Sequence, residues 1–214
     1  MAGRKPILEH EEILVAAAMT SFSLRDQALI ALGLNTGFRI TELLSLNVGD
    51  VWAAGQAKPQ VKITRAHLKG GRSRHRKSIS SRTVPLNGAA VRAVEQYLFA
   101  RFGAAPADSE TPLFPSRKHG HRLSRWQANR IVHDVLDAAG LTSRESYGTH
   151  TLRKTFCRKV YEATGHDINL TRAVMGHANV STTQRYLPID DQDITAAVMS
   201  LGASAAKPAL AATG

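Results

Sequence analysis

At 214 residues and 43% hydrophobic, the chain can bury one good core but not two domains of equal size. Its longest apolar run, LIALGL at residues 29–34, cannot cross a bilayer, and the charged opening MAGRKPILEHEEI is no targeting segment, so a soluble cytoplasmic protein is expected. The net charge of +11 is concentrated: between Asp50 and Glu95 there is no acidic residue but ten lysines and arginines, which excludes an acidic or neutral binding surface there and points to a polyanion.

Residues 1–22 read as an N-terminal extension with a first helix. Ser23 can cap an apolar helix over 24–34 that ends near Gly37. Ile40, Leu43, Leu44 and Leu46 form the next helical face, which residues 47–50 end. Segments 60–65 and 79–86 alternate polar and β-branched residues and predict two strands of a hairpin with a long, basic, Gly-containing connection. Asn87 caps a helix over 89–102, and Ser124 caps another that Gly140 terminates after Ala139. From Thr149, the spacing Leu152, Phe156, Val160, Ala163 marks a helix with one apolar stripe, on which the single Cys157 reads as a small core or boundary residue. Asp167 restarts a short helix to Met175, and Ser181 or Thr182 starts another that carries Tyr186 and stops at Pro188. Asp190 or Asp191 caps a last helix to about Leu201, and residues 202–214 form a low-complexity, disordered tail. The fold class is therefore α+β, mainly helical, with a small antiparallel sheet.

Three separated segments offer groups suited to a phosphate. In TGFRITELL, Gly37 permits a tight turn, and Arg39 opens a helix with Glu42 three residues on to hold its guanidinium. In GTHTLRK, His150 and Arg153 project about 60° apart on a helix and both flank its apolar stripe, so both can donate to one anion. In MGHANVSTTQRY, the turn Gly176-His177 precedes a Ser/Thr-rich cap and the pair Arg185-Tyr186. Each alone has an ordinary explanation: a surface salt bridge, a solvated His-Arg pair, a half-buried packing tyrosine.

Together and in this order the three segments resemble the tyrosine recombinase (phage integrase) family, over roughly residues 10–200. The resemblance implies the catalytic-domain fold of that family over residues 23–201, and a site-specific DNA recombinase that needs neither metal nor other cofactor. It makes Tyr186 the nucleophile that forms a 3′-phosphotyrosine, Arg39 and Arg153 the clamp on the non-bridging oxygens, and Glu42 the support of that clamp. His177 is expected to hydrogen-bond a non-bridging oxygen and His150 to assist proton transfer with Tyr186. A hairpin lysine is the expected general acid toward the leaving 5′-oxygen; Lys69 is preferred and Lys77 competes. Arg65, Arg72, Arg74, Arg76, Lys77 and Arg82 on the hairpin, with Arg125 and Lys154, are expected to contact DNA. The implied partner is double-stranded DNA, in the cytoplasm at the nucleoid, bound by a homo-oligomer that forms a tetrameric synapse. Its C-terminal helix, with Ile194, Ala197, Val198 and Leu201 on one face, would dock on a neighbour or equally on its own domain. The N-terminal DNA-clasping domain usual in the family is not evident, so an accessory DNA-binding protein or separate chain is a further expected partner. Two other readings are a type IB topoisomerase-like relaxing enzyme and a non-catalytic DNA-binding module.

Overall fold

A computed structural model of the chain describes residues 4–64, 81–103, 107–117, 120–187, 195 and 198–199. Helix α2, Leu24–Thr36, is the element on which the rest is hung. The Ser23 hydroxyl accepts from Asp26 N at 3.3 Å at its start, and Gly37 takes a left-handed conformation at its end. Its sequence is apolar almost all round because two cores flank it. Ala28, Leu29 and Leu32 enter one core with Val94 and Leu98 of α5 (Gly88–Phe102), while Ile30 and Leu34 enter the other. The second core holds Val132 and Leu136 of α6 (Arg125–Ala138) and Leu152 of α7 (Thr149–Ala163). Where α2 and α7 cross, a Cβ on Gly33 would lie 2.6 Å from Leu152 Cδ1, so glycine sets how closely the two helices approach.

The N-terminal helix α1, Glu9–Met19, packs on α6 and contributes Val15 to the second core, alongside Ile7 from the preceding segment. Glu12 ties α1 to α7 through Arg158 at 2.6 Å and Lys159 at 2.8 Å. After α3, Ile40–Ser45, the chain leaves the helix at the extended Leu46 and Asn47, in line with the helix end expected from the sequence at residues 47–50. It makes one more turn, α4 (Val48–Val51), whose entry is capped when Asn47 N donates to Asp50 Oδ2 at 2.8 Å. Strands β1 (Trp52–Ala53) and β2 (Gln56–Ala57) form a small hairpin that the sequence reading missed; Ala54 and Gly55 both take positive φ, as a two-residue turn requires.

The expected basic hairpin is present in shorter form, β3 (Gln60–Ile63) paired antiparallel with β4 (Arg82–Pro85). Val61, Ile63 and Val84 face the core and Lys62 faces outward. Ile63 stands opposite Arg82, so Arg82 shares the inward face. Arg65, Lys69, Arg72, Arg74, Arg76 and Lys77 lie outside the described residues.

Helix α8, Ile168–Met175, is capped by Asp167 and ends in left-handed Gly176. Helix α9, Val180–Gln184, starts earlier than Ser181 and ends two residues before Tyr186, which therefore sits in a turn rather than on the helix. The tighter turn is held by Tyr186 N donating to Thr183 O at 2.9 Å. Of the expected last helix, Thr195, Val198 and Met199 are described and helical; its capping aspartates and the remainder of its apolar face lie outside the described residues, as does the tail. Among the described residues no helix is long and apolar enough to cross a membrane.

Candidate active site

Arg39 begins the construction. It stands just before α3, its backbone N–H donates to Glu42 Oε2 and its Nη1 to Glu42 Oε1, both at 2.8 Å. Glu42 is fully buried whereas the Arg39 side chain keeps 34% of its surface, so the carboxylate is a fixed post that aims an accessible guanidinium.

Arg153 departs from the sequence expectation. Rather than flanking the apolar stripe of α7, it is only 2% exposed, among the most buried large side chains of the protein. Burial is possible because backbone carbonyls line this side: its Nη1 donates to Gly37 O, and its Nη2 to Met175 O at 3.0 Å. The left-handed turns at Gly37 and Gly176 present the ends of α2 and α8 here; a Cβ on Gly37 would lie 2.3 Å from Phe156 Cδ1. Arg153 Nε is buried without a hydrogen-bond partner, an unspent donor at the centre of the site. Burial, reinforced by Arg39, lowers the Arg153 pKa from its ordinary value, while Glu42 and Tyr186 oppose the shift.

His177, 5% exposed, follows Gly176. Its Nε2 lies 2.8 Å from Arg153 Nη2 and its Nδ1 lies 2.9 Å from Thr183 Oγ1. Burial first, then the charges of Arg153, Arg39 and Arg82, push its pKa down to about 3, so the imidazole is neutral. The Tyr186 ring sits 5.3 Å from the His177 ring, tilted by 55°, and Lys154 Nζ lies 5.7 Å from the tyrosine ring centre. Tyr186 also lies close enough to Arg153 to favour its charged guanidinium. His150, at the start of α7, keeps an exposed edge, yet desolvation lowers its pKa, aided by the positive charges of Arg153, Arg39, Arg125 and Lys154. The chain thus brings Arg39, His150, Arg153, His177 and Tyr186 together, with Arg125 and Lys154 at the margin.

Arg82, expected among the DNA-contacting cations, has an additional role that sequence patterning did not show. Its Nη2 donates to Val174 O at 2.9 Å and Thr36 O at 3.2 Å, and its guanidinium lies 5.3 Å over the Phe38 ring. Burial, with the repulsion of Arg153 and Arg39, lowers its pKa to about 10 against the opposing pull of Glu42. The β3 register could have flagged it, because an inward strand position carrying a charge demands buried partners. Thr183 was likewise missed, since a threonine beside Thr182 in a helix cap carries no signal until the fold sets it against His177. Cys157 is buried as expected, and burial pushes its thiol up to about 11, which removes it from nucleophilic chemistry.

Three guanidinium groups, Arg39, Arg82 and Arg153, thus share one carboxylate, Glu42. Such a cluster is under-neutralised and arranged to accept an anion beside a tyrosine hydroxyl.

Residues 8–193 match the sequence profile described as the Phage integrase family. The tyrosine recombinase XerD of Mycobacterium leprae is 36% identical over 169 residues, covering 76% of this chain and 48% of that protein. The tyrosine recombinase XerC of Caldanaerobacter subterraneus subsp. tengcongensis is 32% identical over 198 residues, covering 91% of this chain and 51% of the relative. The chain spans about half the length of such relatives. Among solved structures, the XerA recombinase superposes with a TM-score of 0.68 at 24% identity, covering 92% of this chain and 65% of that one. The XerH site-specific recombinase in a post-cleavage complex with a palindromic difH substrate superposes with a TM-score of 0.67 at 22% identity, covering 92% and 53%. These likenesses show that the fold is the one shared by those recombinases.

Proposed function

The chain belongs to the phage integrase family of tyrosine recombinases, and from that membership we propose that it cleaves and rejoins double-stranded DNA at specific sites through a covalent 3′-phosphotyrosine. The observation that carries the reading is the placement of Tyr186 against His177, which itself meets Arg153, within an under-neutralised cluster of arginines. The Tyr186 oxygen attacks the scissile phosphorus as its proton passes to the neutral His150, and the bond to the 5′-oxygen breaks. The leaving oxygen takes a proton from a hairpin lysine, with Lys69 assigned ahead of Lys77. Arg39 and Arg153 bind the non-bridging oxygens, where negative charge accumulates in the transition state. Arg125 and Lys154 hold neighbouring phosphates, together with the hairpin cations and the outer edge of Arg82. Attack by a second 5′-hydroxyl reverses the chemistry and reseals the strand, so neither ATP nor a metal enters.

Strand exchange between two sites calls for four copies on DNA. The helix that includes Thr195, Val198 and Met199 is the element assigned to link neighbours, because Val198 and Met199 stand 61% and 71% exposed. Accessory DNA-binding protein would complete the grip on DNA, and the work would take place at the nucleoid. The recombinases among the relatives favour exchange over simple relaxation. The test is incubation with a nicked duplex bearing a cognate core site, so that the cleaved end diffuses away and the adduct accumulates. The parent should become covalently attached to DNA and Tyr186→Phe should not; equal behaviour of the two would overturn the reading.

A further inference from the structure

Thr183 carries no assigned role, yet it is fully buried and is the side chain that meets His177 on the ring nitrogen facing away from Arg153. A guanidinium only donates, so at 2.8 Å the Arg153 Nη2 must be giving its proton to a lone pair on His177 Nε2. A neutral imidazole with a lone pair on Nε2 carries its proton on Nδ1, and that proton must point at Thr183 Oγ1, 2.9 Å away. His177 is therefore held in the Nδ1–H tautomer from both sides, by Arg153 donating to Nε2 and by Thr183 accepting from Nδ1. In that tautomer it orients the Arg153 guanidinium, and it has no proton on Nε2 to offer a phosphate.

The same residue also controls the nucleophile's backbone, because Thr183 O accepts the Tyr186 N–H at 2.9 Å. We propose that Thr183 is a positioning residue that couples the docked position of Tyr186 to the tautomer of His177. With Tyr186 in place, the hydroxyl accepts from Nδ1–H and His177 serves as acceptor for Arg153. When a phosphate takes over Arg153 Nη2, the imidazole releases its Nδ1 proton to water and takes one from water on Nε2, so that its proton count is unchanged; the same hydroxyl rotates to donate to Nδ1, and Nε2–H can donate to a phosphate oxygen. A hydroxyl can serve both states, whereas a carboxylate or a methyl could serve one or neither.

The tautomer assignment stands independently of the DNA-cleavage reading; the kinetic consequence rests on it. The experiment compares the parent with Thr183→Val, which keeps shape without a hydroxyl, and Thr183→Ser, which keeps the hydroxyl. Nitrogen-15 spectra of the His177 ring in DNA-free protein should show Nδ1 protonated in the parent and in Thr183→Ser, and a changed tautomer population in Thr183→Val. On the nicked duplex, Thr183→Val should form the Tyr186 adduct about 10-fold or more slowly and Thr183→Ser within a few fold of the parent, by analogy with other residues that orient an imidazole. An unchanged His177 spectrum in folded Thr183→Val overturns the proposal even if adduct formation slows. A changed spectrum with an unchanged adduct rate overturns the coupling to catalysis. A parent that forms no adduct while the spectra behave as described sinks the cleavage reading and leaves the tautomer assignment in place.

Discussion

Arg82 and Val174, 92 residues apart in sequence, are joined by a hydrogen bond of 2.9 Å from the Arg82 guanidinium to the Val174 carbonyl. The same nitrogen reaches Thr36 O at 3.2 Å, so one strand residue pins the last turns of α2 and α8, the two helices whose C-terminal turns lead to the catalytic side chains. Cationic donors suit these positions because helix C-termini carry unsatisfied carbonyls and partial negative charge. Arg82→Met keeps an aliphatic stem over Phe38 but removes both hydrogen bonds. It is expected to cost about 1 kcal/mol, since the bonds are partly open to water, and to lower the unfolding midpoint by about 2–4 °C. Adduct formation should slow as well, through the displaced His177 loop. An unchanged midpoint would show that water replaces the guanidinium at no cost.

Gly37 is required twice over. Its φ of +59° disfavours any side chain, and an added Cβ would sit 2.3 Å from Phe156 Cδ1, while its carbonyl must stay aimed at Arg153. Gly140, with φ of +82° and open space around it, provides the comparison. Gly140→Ala should lose about 1 kcal/mol, the left-handed cost alone, and Gly37→Ala considerably more, because a neighbouring ring must also move. Thermal unfolding of the two variants measures the difference; equal losses would mean that Phe156 yields freely.

The lowered His177 pKa fixes a sign for the effect of acid on stability. The unfolded chain protonates this ring near 6.5, whereas the folded protein resists protonation down to about 3. Below the unfolded value the unfolded state therefore binds the extra proton, and stability falls as pH drops from 6.5 toward 3. Between pH 7.5 and pH 5 this group should account for a loss on the order of 1–2 kcal/mol. Denaturant unfolding of His177→Gln at both pH values should show a correspondingly smaller loss than the parent. An identical pH dependence in the two would place the acid sensitivity elsewhere, His133 and His150 having pKa values lowered in the same sense.

The general acid is open to a chemical test. If Lys69 protonates the leaving 5′-oxygen, a duplex with sulfur in place of that oxygen should need no proton donor, because a thiolate leaves readily. Lys69→Ala should then cleave the sulfur duplex near the parent rate while losing about 100-fold or more on ordinary DNA, within the usual range for a general acid. If Lys77→Ala shows that pattern and Lys69→Ala does not, the assignment passes to Lys77.

Local features of the chain were legible where a short segment decides its own conformation. Ser23, Asn87, Ser124 and Asp167 each cap the helix that follows, and Gly37, Gly140 and Gly176 each turn left-handed at or just after a helix end, because caps and glycine turns depend on neighbours within a few residues. The order of Arg39, His150, Arg153, His177 and Tyr186 was readable for the same reason: it is a property of the string. Burial and partnership were not. Arg153 is polar by every local measure and is buried nonetheless, because the ends of α2 and α8, which lie far away in sequence, bring carbonyls to meet it. Arg82 faces inward because β3 sets its register, and Thr183 matters because a loop places His177 over it. The sequence alone determined most of the helices, the basic hairpin, several caps and the family to which they point, but not the β1–β2 hairpin or the turn that carries Tyr186. Only the tertiary structure decided which polar groups share a desolvated space, since hydrogen bonds and charge interactions there depend on distances that no spacing along the chain specifies.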